Sequence, residues 1–479
     1  MLRSNFIRQP ARLDHMVASG EIDLLIAAQP QYPRPRHPRR VQPVVLSIGA
    51  GAFVVRQGDG ATVLGHMADR KIGVVLGTRA EGAVDYWQSR VDYHFEVLRY
   101  LTLDLALAAL NSHEIDGVVD NRVRLARVIK SDQQRFVDDP VMPEPYAIAM
   151  SRQDVNLRNL VNKTLQYLFT TGKLEEIHKA DFAGASFPST SFAVWNNVGD
   201  APKPDQFGSD VPFPPQYVVP RLQSDRQLRV AGLVDLPADA PESQRRLDAL
   251  NRALVNAIAQ RWQVSVVPVS GGNPIEQVAS GAADIAVGVT PDWNAISQVD
   301  FTSYYMLHGL RLMVRTSDDY GGFSDLRGKT IGIFQSDEGV QDVVKARADQ
   351  LNAVIDRYFT ILREQDAAFT LLVENNADVV FGDSLKLIPN VEANPNDLKL
   401  TTNADGTAIW YSRTFVGMAV PRNDINFRLL VEYTLQELTR DGSLATMLPP
   451  VMNPLDMPVT EIWSGSSSYL GFDLFARQG

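Results

Sequence analysis

The chain has 479 residues, 45% apolar and 21% charged. That excludes a collagen-like, disordered or coiled-coil chain, and a soft prior of roughly 150 residues per domain gives about three domains. No cysteine is present, which rules out disulfides, thiolate metal sites and a cysteine nucleophile, and the net charge of −10 lacks the basic footprint of a general nucleic-acid binder.

Taken in chain order, MLRSNFIRQPARLDHM lacks the apolar core of a secretory signal. EIDLLIAAQP (21–30) is a first apolar run. VVLSIGAGAFVV (44–55) is uncharged but well short of the ~20 residues a membrane helix needs, and its GAG (49–51) reads as a strand entry rather than a dinucleotide fingerprint. KIGVVLG (71–77) and EIDGVVD (114–120) follow. Asp138-Asp139 beside Pro140 and Asp318-Asp319 beside Gly321 read as loop carboxylates.

ASFPSTSFAVWNN and the proline-rich residues after it (185–225) read as a linker whose aromatics lie against a domain. Beyond it, LRVAGLV (228–234) predicts a strand. Residues 242–262 predict a helix, with Leu247, Leu250, Leu254, Ile258 and Trp262 as its apolar stripe. VSVVPV (264–269) and DIAVGV (284–289) are strands around a short helix at 273–281. Further strands are expected at TIGIF (330–334), around 358–362 and at DVVFG (378–382), with a helix near 367–375. A helix from Ile425 to Thr439 should stop at Asp441-Gly442.

The chain repeats itself. EIDLLIAAQP matches AADIAVGVTP (282–291), AGAFVVR (50–56) matches GLRLMVR (309–315), and KIGVVLG matches TIGIFQS (330–336). EIDGVVD matches NADVVFG (376–382), and LVNKTLQYLFTTGKL (160–174) matches LVEYTLQELTRDGSL (430–444). Five collinear matches at so long a period indicate two copies of one domain rather than a solenoid. Short apolar runs alternating with helices give an α/β fold with mainly parallel sheets. The expected layout is a first domain at 1–184, a linker at 185–225, a second domain at 226–448 and a C-terminal extension at 449–479. Trp463 parallels Trp195, as though each domain had its own strap. Nothing ahead of Asp23 matches the first strand and helix of copy two, so Met1 is expected not to be the natural start.

GAADIAVGVTP, QVDFTSYYMLHGLRLMVR, FSDLRGKTIGIFQS, ADVVFGDS and RDGSL, in that order, resemble the type II bacterial solute-binding proteins of ABC importers, the polar amino-acid group. The likeness runs over about 225–445 and more loosely over about 13–183. It implies two α/β lobes per copy, joined by a hinge and closing on a small polar ligand.

The family's carboxylate-pairing arginine aligns with Ala295 in copy two and with Arg34, inside PRPRHPRR (33–40), in copy one. The turn that cradles the carboxylate with backbone amides aligns with Ser336-Asp337-Glu338 and with Gly77-Thr78-Arg79. The amine-holding aspartate aligns with Asp383, and with Asp120 or Asn121. Thr290 matches a further contact position and Asp292 lies beside it. Copy two therefore suits a cationic or uncharged solute, or has lost binding. Copy one, with Arg34, Arg36, Arg39, Arg40 and Arg79, suits an acidic one. Trp293 is expected to pack rather than stack on a ligand.

The resemblance implies non-catalytic, extracytoplasmic solute binding (periplasmic or extracellular) for an ABC permease or a membrane sensor. The expected protein is a monomer with no cofactor, metal, nucleic-acid partner or membrane span. The rivals are a dehydratase on the same fold, with Asp337, Glu338 and Asp383 as acids, and a degenerate structural tandem. The seven histidines, among them His66, His94, His113 and His308, show no ligand spacing.

Overall fold

The computed structural model describes residues 16–17, 19–28, 42–62, 64–78, 80–81, 84, 94–181, 193–208, 213–335, 339–350, 357–361, 366–402 and 408–448. Among them, those up to 181 together with Asp200–Phe207 form one compact unit, and Ala193–Gly199 with the residues from Gly208 onward form another. Both are α/β, in tandem along the chain.

Unit one is a six-stranded sheet of β1 (Leu24–Ala28), β2 (Gln42–Arg56), β3 (Lys71–Val75), β4 (Glu96–Tyr100), β5 (Gly117–Asn121) and β6 (Gln134–Met150), in the order β1-β6-β2-β5-β3-β4. β3 runs parallel to β4 and β5, and the other pairings are antiparallel. The apolar alternation of β2 and β5 feeds two cores. Phe53, Val55, Ile72 and Val119 lie in one, and Val54, Leu110, Ile115 and Val118 in the other.

Unit two has two sheets. The first comprises β7 (Gln227–Ala231), β8 (Ser265–Val269), β9 (Ile285–Val289), β10 (Val299–Phe301) and β11 (Met306–His308). The second comprises β12 (Leu310–Arg315), β13 (Thr330–Phe334), β14 (Arg357–Ile361), β15 (Val379–Asp383) and β16 (Leu398–Leu400). β17 (Thr414–Pro421) returns to the first. The orders are β10-β17-β9-β7-β8, with β11 on β17, and β14-β13-β15-β12-β16.

Strand for strand, and in direction, the second sheet repeats β4-β3-β5-β2-β6 of unit one. The repeated residues explain why. Asp116 accepts the Lys71 N–H at 3.0 Å and Asp378 the Thr330 N–H at 2.8 Å, each stapling two parallel strands. The Arg56 guanidinium donates to the carbonyls of Leu110 (2.8 Å) and Ile115 (2.7 Å). Arg315 does the same to Leu372 (2.7 Å) and Ala377 (3.1 Å). Each repeat carries toward its end a helix capped alike: Asp154 accepts from Leu157 N–H ahead of Val155–Thr170, and Asp424 from Phe427 N–H ahead of Ile425–Arg440.

The helix Glu242–Trp262 forms as its stripe predicts, burying Leu250, Leu254, Ile258 and Trp262. One expectation is corrected. Asp138 and Asp139 lie in β6, not in a loop, although Pro140, Pro143 and Pro145 contribute no N–H to that ladder. The segment expected as a linker ends in the helix Val218–Asp225, which buries Val218, Val219 and Leu222 in the core of unit two. The expected extension 449–479 lies outside the described residues.

Candidate functional site

Polar groups of unit two gather where the chain passes between its sheets. Val289, at the end of β9, lies opposite Gly417, and His308 opposite Thr414. Asp383, at the end of β15, lies opposite Leu310. The carboxyl ends of β9 and β15 therefore both face the crossing made by His308–Leu310 and Ser412–Thr414. In open α/β sheets this end of the strands is where ligands bind.

The crossing is tightly built. Ser384 N–H donates to the Gly309 carbonyl at 2.8 Å, and Leu310 N–H donates to Ser412 Oγ at 3.0 Å. Tyr305, fully buried, donates its hydroxyl to Asn251 Oδ1 at 2.5 Å and accepts from Gly288 N–H at 2.8 Å, fixing the end of β9 just before Thr290. Burial pushes the Tyr305 hydroxyl well above its usual range, against the smaller lowering effect of the Gly288 N–H that it accepts.

Asp383 is already engaged. Its Oδ1 accepts from Leu385 N–H at 2.9 Å, capping the helix Ser384–Ala393, and its Oδ2 sits 2.7 Å from His308 Nδ1. Asp292 is engaged too. It accepts from Asn294 N–H at 2.8 Å, and both its oxygens accept from Asn197 Nδ2 at 3.0 and 2.8 Å. Trp293 is 3% exposed and packs at 4.5 Å between centroids on Trp195, which meets Phe301 edge-on at 5.4 Å. Residues 193–199 thus cover the loop beside Thr290. Trp195→Ala should lower the stability of unit two by about 1–2 kcal/mol and red-shift tryptophan emission as Trp293 is exposed. Thermal melting and fluorescence check both.

In unit one, β3 and β5 are parallel with Val74 opposite Val119, so Gly77-Thr78 and Asp120-Asn121 share one end of the sheet. Gly77 N–H, expected to cradle a ligand carboxylate, instead donates to Glu81 Oε2 at 2.9 Å, and Glu81 pairs with Arg99. Those two contacts hold the Glu81 carboxyl below the usual carboxylate range. Thr78 Oγ1 donates to the Val75 carbonyl at 2.6 Å.

The register also corrects the alignment. Asn121 opposes Gly51 as Asp383 opposes Leu310, so Asn121, not Asp120, stands where Asp383 does. Asn121 Oδ1 caps its helix from Arg124 N–H at 3.2 Å. Asp120, 2% exposed, has Oδ1 3.1 Å from Arg124 Nη1, while its Oδ2 is buried without a hydrogen-bond partner.

Burial raises the Asp120 carboxyl above its ordinary value. Ionisation therefore opposes folding above that raised value, and the cost vanishes once both states are protonated below about 3.8. Asp120→Asn should raise stability at pH 7, with the gain fading as the pH falls toward 3.8. Melting curves across that range check it. Arg34, Arg36, Arg39, Arg40, Arg79, Ser336, Asp337 and Glu338 lie outside the described residues.

Sequence reading missed His308, Asn197, Glu81 and the Tyr305–Asn251 pair. Only the aromatic character of 185–225 hinted at the Asn197 and Trp195 contacts. Among the described residues no cluster of three or more His, Asp or Glu could hold a metal ion, and no helix is long and apolar enough to cross a membrane.

No protein-family model and no curated protein matches the chain. Solved structures do. The chain is similar to solute-binding proteins of amino-acid transport. An ancestral cationic amino-acid solute-binding protein is 19% identical over 48% of this chain and 96% of its own, with a TM-score of 0.37. A polar amino-acid ABC uptake transporter substrate-binding protein from Streptococcus thermophilus is 14% identical over 48% and 86%, with a TM-score of 0.40. The BvgS periplasmic domain of B. pertussis is 14% identical over 91% of this chain and 80% of that one, with a TM-score of 0.30.

Proposed function

We propose that this protein binds a small polar solute outside the cytoplasm without transforming it, and that unit two does so by closing its two sheets about the Gly309–Ser412 crossing. The observation that carries this reading is the convergence there of His308, Asp383 and Ser384 from one side and the end of β9 with Thr290 from the other. A cleft with few, fixed polar groups between two rigid sheets is suited to capture, and two crossing strands permit hinge closure. The closed form would be read by an ABC permease or a membrane sensor.

Unit one contributes less to capture. The amide of Gly77 already holds a carboxylate of the chain itself, and an asparagine replaces the amine-holding aspartate. Its own contribution would rest on Arg34, Gly77 and Thr78, with Asn121 at the register position that matches Asp383. In unit two we assign solute contacts to Thr290, Ser336, Asp337 and Asp383, with Asp292, held by Asn197, beside Thr290.

Titration calorimetry and thermal shift against amino acids, polyamines, polyols and organic acids test this. The expected result is saturable heat from at least one class with a raised melting temperature. Silence from every class in both measurements would remove the binding function.

A further inference from the structure

We infer that His308 is the specificity-determining residue of the unit-two cleft, and that it selects a solute carrying an amine or hydroxyl hydrogen-bond donor and no carboxylate. The inference rests on the solute-binding reading above and names the solute class that reading leaves open.

The chemistry follows from one contact. An ionised carboxylate can only accept hydrogen bonds. Asp383 Oδ2 lies 2.7 Å from His308 Nδ1, so in the neutral imidazole the proton sits on Nδ1 and points at Asp383. That leaves Nε2 as a bare acceptor. It has no hydrogen bond to any described residue, and the side chain is 18% exposed at the crossing. A group arriving at Nε2 must therefore bring a hydrogen.

The charges point the same way. Asp383 supplies a negative charge beside the ring, and no arginine or lysine occurs between Thr290 and Phe301, the stretch that leads from β9 into β10. A carboxylate at Nε2 would meet an acceptor rather than a donor, beside the charge of Asp383. A protonated amine or a hydroxyl would satisfy the acceptor, and the amine would gain from the aspartate as well. Asp383 acts on the solute through the ring as well as by its charge. Each of its oxygens already accepts one hydrogen bond, from His308 and from Leu385 N–H, and it acts as a positioning residue that sets the tautomer.

The test uses the full chain with four probes: putrescine, ribitol, glutamine and succinate. Putrescine or ribitol should bind saturably, and glutamine and succinate should not. His308→Asn keeps a donor toward Asp383 but removes the distal acceptor, and should weaken binding at least tenfold with an unchanged melting temperature. His308→Gln restores a distal acceptor and should recover most of the affinity.

Nitrogen-15 NMR of the imidazole, assigned by its loss in His308→Asn, should show Nδ1 protonated and Nε2 bare in the neutral ring, and Asp383→Asn should disturb that pattern. Four results overturn the inference: glutamine or succinate binding, a His308→Asn variant that binds like the parent, a proton on Nε2, or no probe binding. Binding of glutamine or succinate would leave the solute-binding function standing while removing this account of its selectivity. Silence from all four, together with the wider panel, would remove both.

Discussion

Asp284→Ala should destabilise unit two by about 3–5 kcal/mol, the usual cost of stranding buried charge. Asp284 is 0% exposed, at the entry to β9. Its Oδ2 accepts from Arg229 N–H at 2.7 Å, stapling β7 to β9, and also from the Arg221 guanidinium. Its Oδ1 accepts from Arg229 Nη2 at 2.7 Å and Nε at 3.2 Å. Alanine leaves two guanidinium groups facing a cavity, one of them on a side chain only 8% exposed. The sister staple in the second sheet gives the control. Asp378 performs the same backbone contact but is 28% exposed, with its Lys329 partner 3.4 Å away, and its loss should cost about 1 kcal/mol. Hydrogen exchange read at the amides of β7 and β9 localises the effect where a global melt of a multidomain chain would blur it.

Gly309→Ala should be the most damaging single methyl in the protein for binding. Gly309 has φ of 154°, and a Cβ there would meet the Ser412 carbonyl oxygen at 2.2 Å and its carbon at 2.8 Å. Both are backbone atoms of the second crossing strand, so no side chain can move aside. The two crossing strands must part, which costs at least about 2 kcal/mol in strain and lost backbone bonds. Because His308 precedes Gly309, parting them also moves the imidazole away from Asp383. Melting and calorimetry together check this: a lowered melting temperature with solute binding abolished. Ser412→Ala, which removes only the acceptor for Leu310 N–H, should cost about 1 kcal/mol and keep binding.

Much of the architecture was legible because the repeated residues are the ones that hold strands together. Asp116 and Asp378, and Arg56 and Arg315, recur at matched places since each closes a backbone contact that any copy of the fold must make. Local capping signals were equally readable, as at Asp154 and Asp424. The unread part joins residues far apart in the chain. His308 reaches Asp383, and Asn197 reaches Asp292, through tertiary packing that no spacing rule encodes. The choice between Asp120 and Asn121 turned on a single residue of register, and one step in a strand exchanges an outward side chain for a buried one. The three prolines of β6 disguised a long strand as a loop, because proline is normally a sign of broken pairing.

The lobes of unit two also touch through their helices. Arg246, on the helix Glu242–Trp262, pairs with Glu392 on the helix Ser384–Ala393, and with Glu242 of its own helix at 3.0 Å.

The most direct test of closure uses the absence of cysteine, which lets two spin labels be placed without background. Glu276→Cys, exposed on the helix Pro274–Ala279, and Gln341→Cys, exposed on the helix Val340–Gln350, mark the two sheets of unit two. The distance distribution between them, measured by pulsed electron resonance with and without a saturating solute from the binding panel, should narrow and shift to shorter separation on binding. A distribution that stays unchanged at saturation would contradict hinge closure as the way this protein holds its solute.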